Sequence, residues 1–163
     1  MSDPVDTAWR IHGALADWTG KVETKASFTL SIETALMVGI VTLYSSGRAL
    51  SELEGPRSIT AGVGVTLLAI AMLFAVGVVI PQLRSNQKLK EEAAAGNFIY
   101  FGHLRHLEPE AIGNLINNSE ILPILAHQHR RMAEIAWTKH RCVQVSMVLA
   151  VLGVGLVSVA GLV

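Results

Sequence analysis

The sequence predicts an all-α integral membrane protein, with three transmembrane helices carrying a small cytoplasmic helical domain. Three observations predict it. Of the 163 residues, 51 % are hydrophobic and only 16 % charged, where a soluble domain carries about a quarter charged residues; the mean hydropathy is +0.45. The apolar residues are gathered into long runs, two of them uncharged and longer than the roughly 18 residues that mark a membrane span. The basic residues are divided very unequally among the segments left over. Thirteen Lys and Arg against thirteen Asp and Glu leave no net charge, so no bulk attraction to nucleic acid is expected. The single cysteine, Cys142, excludes a disulfide-stapled scaffold.

The second apolar run is the clearest. Residues 59–80 contain no charge, and a helix of that length spans about 33 Å, the thickness of a bilayer core. The third, residues 143–163, is also uncharged, with Gln144 and Ser146 near its start. The first, residues 27–47, is weaker because it carries Glu33, and a carboxylate within a span costs a few kcal/mol on insertion scales. Arg48 and Arg57 bracket a short link, so the first two spans read as a hairpin over 27–80.

Orientation follows from the loops. Arg10, Lys21 and Lys25 precede the first span, and eight Lys and Arg lie between the second and third; only Arg48 and Arg57 fall in the first link. With three spans, eleven basic residues share one side and two lie on the other. The positive-inside rule then predicts a multi-pass membrane protein with the N-terminus and residues 81–142 in the cytoplasm. A reduced Cys142 fits that side.

Residues 1–26 read as a cytoplasmic amphipathic helix feeding the first span, with Val5, Trp9, His12, Leu15 and Val22 at helical spacing. Residues 81–95 read as a helix continuing out of the second span, kinked at Pro81 and stopped at Gly96. The aromatic and basic stretch NFIYFGHLRHL is too irregular for a long helix. Glu108-Pro109-Glu110 is a helix start, because proline suits the first turn and acids suit its positive end. That helix should end near Asn117-Asn118, and the next should run from about Ser119 into the third span, tolerating Pro123 in its first turn.

No catalytic motif is present: there is no phosphate loop, nucleophile elbow, HExxH or CxxC. No enzyme activity and no cofactor are therefore expected. Five histidines crowd the middle segment, but His127 and His129 stand on different helix faces, and no metal site is predicted. Ala35/Gly39 and Ala71/Ala75 form small-xxx-small pairs suited to close helix contact. His127, Arg130 or Arg131, Glu134, Thr138 and Arg141 recur at helical spacing as a basic stripe, either a solvated face or a wall for an anion. Tyr100 and Phe101, followed by His103 and Arg105, offer a stacking surface for a base. The candidate ligand-binding residues are Trp18, Lys25, Tyr100, Phe101, His103, Arg105, Arg130 and Lys139. Glu33 is the membrane-embedded polar residue, either satisfied by hydroxyls or lining a polar path.

Three stretches resemble the Pycsar transmembrane effectors, bacterial antiphage proteins, over roughly residues 8–160. They are Trp18-x-x-Lys21-x-Glu23-x-Lys25-Ala26-Ser27, with Glu23 where the family usually has Asp; Ile99-Tyr100-Phe101-Gly102-His103-Leu104, followed by Leu107; and Leu125-Ala126 through Lys139 and Arg141. The resemblance implies an effector that binds cyclic UMP or cyclic CMP made by a uridylate or cytidylate cyclase. Binding would occur on the cytoplasmic side, and the homo-oligomeric protein would then impair the inner membrane and abort infection. The other reading of the same residues is a holin-like or structural membrane protein whose cytoplasmic helices dock a protein partner.

Overall fold

The computed structural model describes residues 3–45, 47 and 50–162, and every regular element among them is helical. In chain order these are α1 (Pro4–Leu43), α2 (Gly55–Val79), α3 (Asn86–Ala94), α4 (Phe101–Leu104), α5 (Pro109–Asn118) and α6 (Ile121–Leu162). Helices α1, α2 and α6 are each long and apolar enough to cross a membrane. The expected amphipathic helix and first span are one continuous α1, and the helix after Ser119 runs without a break through the third span as α6. Arg48 and the last residue of the third run, Val163, lie outside the described residues.

One expected element differs. The helix does not continue out of the second span: α2 ends at Val79, and α3 starts only at Asn86. Pro81 disfavours helical geometry at the preceding residue, and Ile80 is accordingly extended, at φ −64° and ψ 129°. Gly96, at φ 91°, ends α3 in the left-handed conformation that an L-residue adopts only with strain. Pro109 opens α5 and Pro56 opens α2, each in the first turn where its missing N–H is no loss.

The chain divides into two compact units. Gly20–Ile80 with the chain from Trp137 onward holds the apolar stretches. Its core is Ile40, Leu50, Leu68, Ala71, Ala150 and Val157, with a second cluster of Val22, Ala26, Val78 and Val143. The backbones of α2 and α6 approach closely at Gly64 and Gly153. A Cβ on either would stand 2.6 Å from the carbonyl oxygen of the other, so neither position has room for a side chain. Of the two small-residue pairs expected to make contacts, Ala71 and Ala75 are buried, whereas Gly39 has open space around it. The Arg57 guanidinium donates twice to the Ala160 carbonyl, at 3.2 and 3.1 Å, and supplies donors to the carbonyl end of α6.

Several hydroxyls inside the span region are met internally, as a lipid surround requires. Ser27, Ser31, Thr34 and Thr42 each donate to the carbonyl four residues back. Glu33 is 1 % exposed. The Ser146 hydroxyl lies 2.7 Å from its Oε1 and 2.9 Å from the Ala71 carbonyl oxygen, so one node joins α1, α2 and α6. Glu33 Oε2 has no hydrogen-bond partner among the described residues.

The second polar contact between α1 and α6 joins two of the motif stretches. The Lys139 ammonium, 4 % exposed, is paired with the Glu23 carboxylate. Removing Glu23 would leave a buried uncompensated charge, whereas removing Lys139 takes the charge away with its solvation debt. Glu23→Gln is therefore expected to destabilise by about 1–3 kcal/mol, and Lys139→Met by less. Chemical unfolding of the detergent-solubilised variants checks the order; equal costs would show that the pair is not held as a buried ion.

Candidate functional site

The other unit, the chain up to Thr19 with Pro81–Ala136, contains a cavity of about 600 Å³. That lies within the range of small-molecule sites. Its wall comes from four places in the sequence. His12 comes from α1; Gln82, Leu83 and Arg84 from the segment that Pro81 breaks out of helix; Ile99, Tyr100 and Phe101 from the turn before and into α4; and Gln128, Arg131, Met132, Glu134 and Ile135 from α6.

The short α4 depends on the glycine between its aromatics and histidine. A Cβ on Gly102 would stand 2.4 Å from the Tyr100 ring and 3.2 Å from the Leu89 side chain. With glycine there, Tyr100 lies back over the turn, 4.4 Å from Phe101 between ring centroids. It also meets His103 edge-on at 5.5 Å. Phe101 is 63 % exposed and leaves an aromatic face free to stack.

Arg84 is fixed by Glu92 of α3. Its Nη1 donates to Glu92 Oε2 at 2.5 Å, and His103 Nε2 lies 2.9 Å from the same oxygen. Burial pushes the Glu92 carboxyl up, but the hydrogen bond from His103 and the Arg84 charge outweigh it and hold the group below its ordinary value. Glu92 therefore stays a carboxylate at neutral pH and keeps Arg84 aligned at the cavity wall. On α6, Arg131 Nη1 lies 3.5 Å from Glu134 Oε2, and Arg130 Nε donates to Glu134 Oε1 at 3.1 Å.

Two histidines meet beside this wall. The rings of His12 and His129 lie 5.8 Å apart, and Trp9 packs edge-on against His12. Burial and the neighbouring His12 push the His129 imidazole below its ordinary value, against the hydrogen bond to the Ala8 carbonyl.

Of the residues singled out in the sequence, Tyr100 and Phe101 line the cavity. His103 does not: it is 2 % exposed and holds Glu92, behind Arg84. Arg105 is exposed and donates to Asn86 Oδ1 at 2.9 Å. Arg130 faces solvent at 82 % exposure, while its neighbour Arg131 lines the cavity. Trp18 and Lys25 are exposed on α1, and Lys139 is buried against Glu23.

Arg84, His12, Gln82 and Gln128 are cavity residues that sequence reasoning missed. The choice between Arg130 and Arg131 needed the rotation of α6, because adjacent helical residues point about 100° apart.

A family model described as PycTM, the Pycsar effector protein domain, matches residues 7–163. No curated protein and no solved structure matches the chain.

Proposed function

The chain belongs to the Pycsar effector family of antiphage defence effectors, linked to cyclic nucleotide signalling from a cyclase, and on that premise we propose that its cavity binds a cyclic pyrimidine mononucleotide. The observation that carries the reading is the chemistry of one wall. Arg84 and Arg131 supply forked donors for a phosphodiester, and Phe101 and Tyr100 supply a stacking face. Gln82 and Gln128 supply amides that can donate to and accept from a base edge. A 3′,5′-cyclic phosphodiester carries one negative charge, which one or two guanidiniums suffice to meet.

Eleven of the thirteen basic residues fall before the first span and between the second and third, which favours a cytoplasmic placement of the cavity. Binding must stabilise one conformation over another to act as a signal. Arg84 stands five residues beyond the end of α2, and Arg131 is on the same helix that becomes the third span. A ligand that draws on both guanidiniums therefore pulls on the segment that follows α2 and on α6 itself. The consequence we propose is loss of membrane integrity by an oligomer of the chain, with no chemistry performed on the nucleotide.

Isothermal calorimetry on the detergent-solubilised protein tests the binding step. Saturable binding of cyclic UMP or cyclic CMP is expected, reduced at least tenfold in Arg131→Ala, since a hydrogen bond to a charged group contributes about 1.5–3 kcal/mol. Absence of heat with either nucleotide overturns the reading.

A further inference from the structure

Both guanidiniums at the cavity already have carboxylate partners: Arg84 has Glu92 and Arg131 has Glu134. The two carboxylates differ in place. Glu92 stands behind Arg84 and is held by His103 as well, whereas Glu134 is itself part of the cavity wall. A phosphate drawn to Arg131 must therefore approach Glu134 too. Among the described lining residues the fixed charges are Arg84, Arg131 and Glu134. With Glu92 counted behind Arg84 and Arg130 counted on Glu134, one positive charge is left over. Such a site meets one negative charge and has little attraction to spare for a second.

We infer that Glu134 is a specificity-determining residue that makes the cavity accept a singly charged cyclic phosphodiester and reject the doubly charged monoester formed when that ring is opened. The inference rests on the cyclic nucleotide reading of the same cavity. Its chemistry is simple. Hydrolysis adds water across one P–O ester bond, frees a sugar hydroxyl, and leaves a monoester whose second ionisation, near pH 6, is complete at pH 8. The base is unchanged, so contacts to it cannot separate the two molecules; the second phosphate charge, beside Arg131 and Glu134, can. A repelling carboxylate in the wall is discrimination against the wrong ligand, obtained at some loss of affinity for the right one.

The test compares cyclic UMP, cyclic CMP and linear 5′-UMP by calorimetry at pH 8 and low salt, on the full-length solubilised protein. Glu134→Gln keeps the shape and removes the charge. One charge at about 6 Å in near-aqueous screening corresponds to about threefold in affinity, and a doubled ligand charge to about tenfold. Glu134→Gln is thus expected to bind the cyclic nucleotide about threefold more tightly and 5′-UMP about tenfold more tightly, lowering the cyclic-to-linear preference about threefold. Arg130→Gln strips Glu134 of its exposed counter-ion and should move the preference the other way. A preference that is unchanged or larger in Glu134→Gln, or unmoved in Arg130→Gln, overturns the assignment of Glu134 while the cavity reading stands. A wild-type protein that binds neither cyclic nucleotide overturns the cavity reading instead.

Discussion

Replacing Gly153 by leucine is expected to abolish recovery of the folded protein. The position sits where α6 crosses α2, and a Cβ there would stand 2.6 Å from the Gly64 carbonyl oxygen and 3.0 Å from the Leu68 nitrogen. Both obstacles are backbone, so no rotamer change relieves the clash, and the helices must part along their length. Overpacking a core by a few methylenes costs about 1–3 kcal/mol where side chains can yield; here the cost should exceed that range. Separation also strips the packing of Leu68 and Val157, both buried in the same cluster. Close backbone approach through small residues is what holds helices together in lipid, where no hydrophobic driving force between them exists. Size-exclusion chromatography in mild detergent should show aggregate for Gly153→Leu and a wild-type profile for Gly155→Ala, a glycine with open space around it. A monodisperse Gly153→Leu would mean that α2 and α6 do not cross here.

Arg84→Ala is expected to lose at least tenfold in affinity for the cyclic nucleotide and to lower the melting temperature as well. Two effects add. The phosphate loses a charge-assisted donor, about 1.5–3 kcal/mol. In addition Glu92, whose Oε2 receives both Arg84 and His103, keeps only the imidazole, in a setting where burial already opposes its charge. Arg84→Lys separates the effects. An ammonium can pair with Glu92 but lacks the fork that serves carboxylate and phosphate together, so stability should recover more than affinity. Calorimetry and thermal unfolding on the same preparations distinguish these outcomes. Unchanged affinity in Arg84→Ala would place the phosphate against another part of the wall.

Much of the architecture was legible in the sequence because lipid imposes a simple demand. A spanning segment must be long, apolar and internally hydrogen-bonded, so residues 59–80 and 143–163 declared themselves by composition. Local punctuation was equally readable: Pro109 and Gly96 act within a turn of where they stand. Pro81 was read as a kink and is a full break, because it acts on the geometry of Ile80 as well as on its own missing N–H.

Charged residues were harder to place. Lys139 and Glu23 are 116 positions apart, and nothing near either shows that they pair. His103 looked like a ligand group because it follows Tyr100 and Phe101, yet its turn directs it inward to Glu92. Glu33 reads in the sequence as a membrane-embedded carboxylate, either satisfied by hydroxyls or lining a polar path; that the Ser146 hydroxyl meets its Oε1, with the Ala71 carbonyl beside that hydroxyl, needed two other helices to appear.

The sequence by itself determined the three long apolar helices, the helix ends at Gly96 and Pro109, and the family, since each depends on neighbours within a few residues or on a linear motif. The tertiary structure alone decided which charges pair, that α2 and α6 cross at Gly64 and Gly153, and that Arg84, Arg131 and Glu134 share one wall. The physical reason is distance along the chain. Hydropathy and turn chemistry act locally, whereas burial, charge pairing and a cavity's net charge depend on side chains brought together from segments many turns apart.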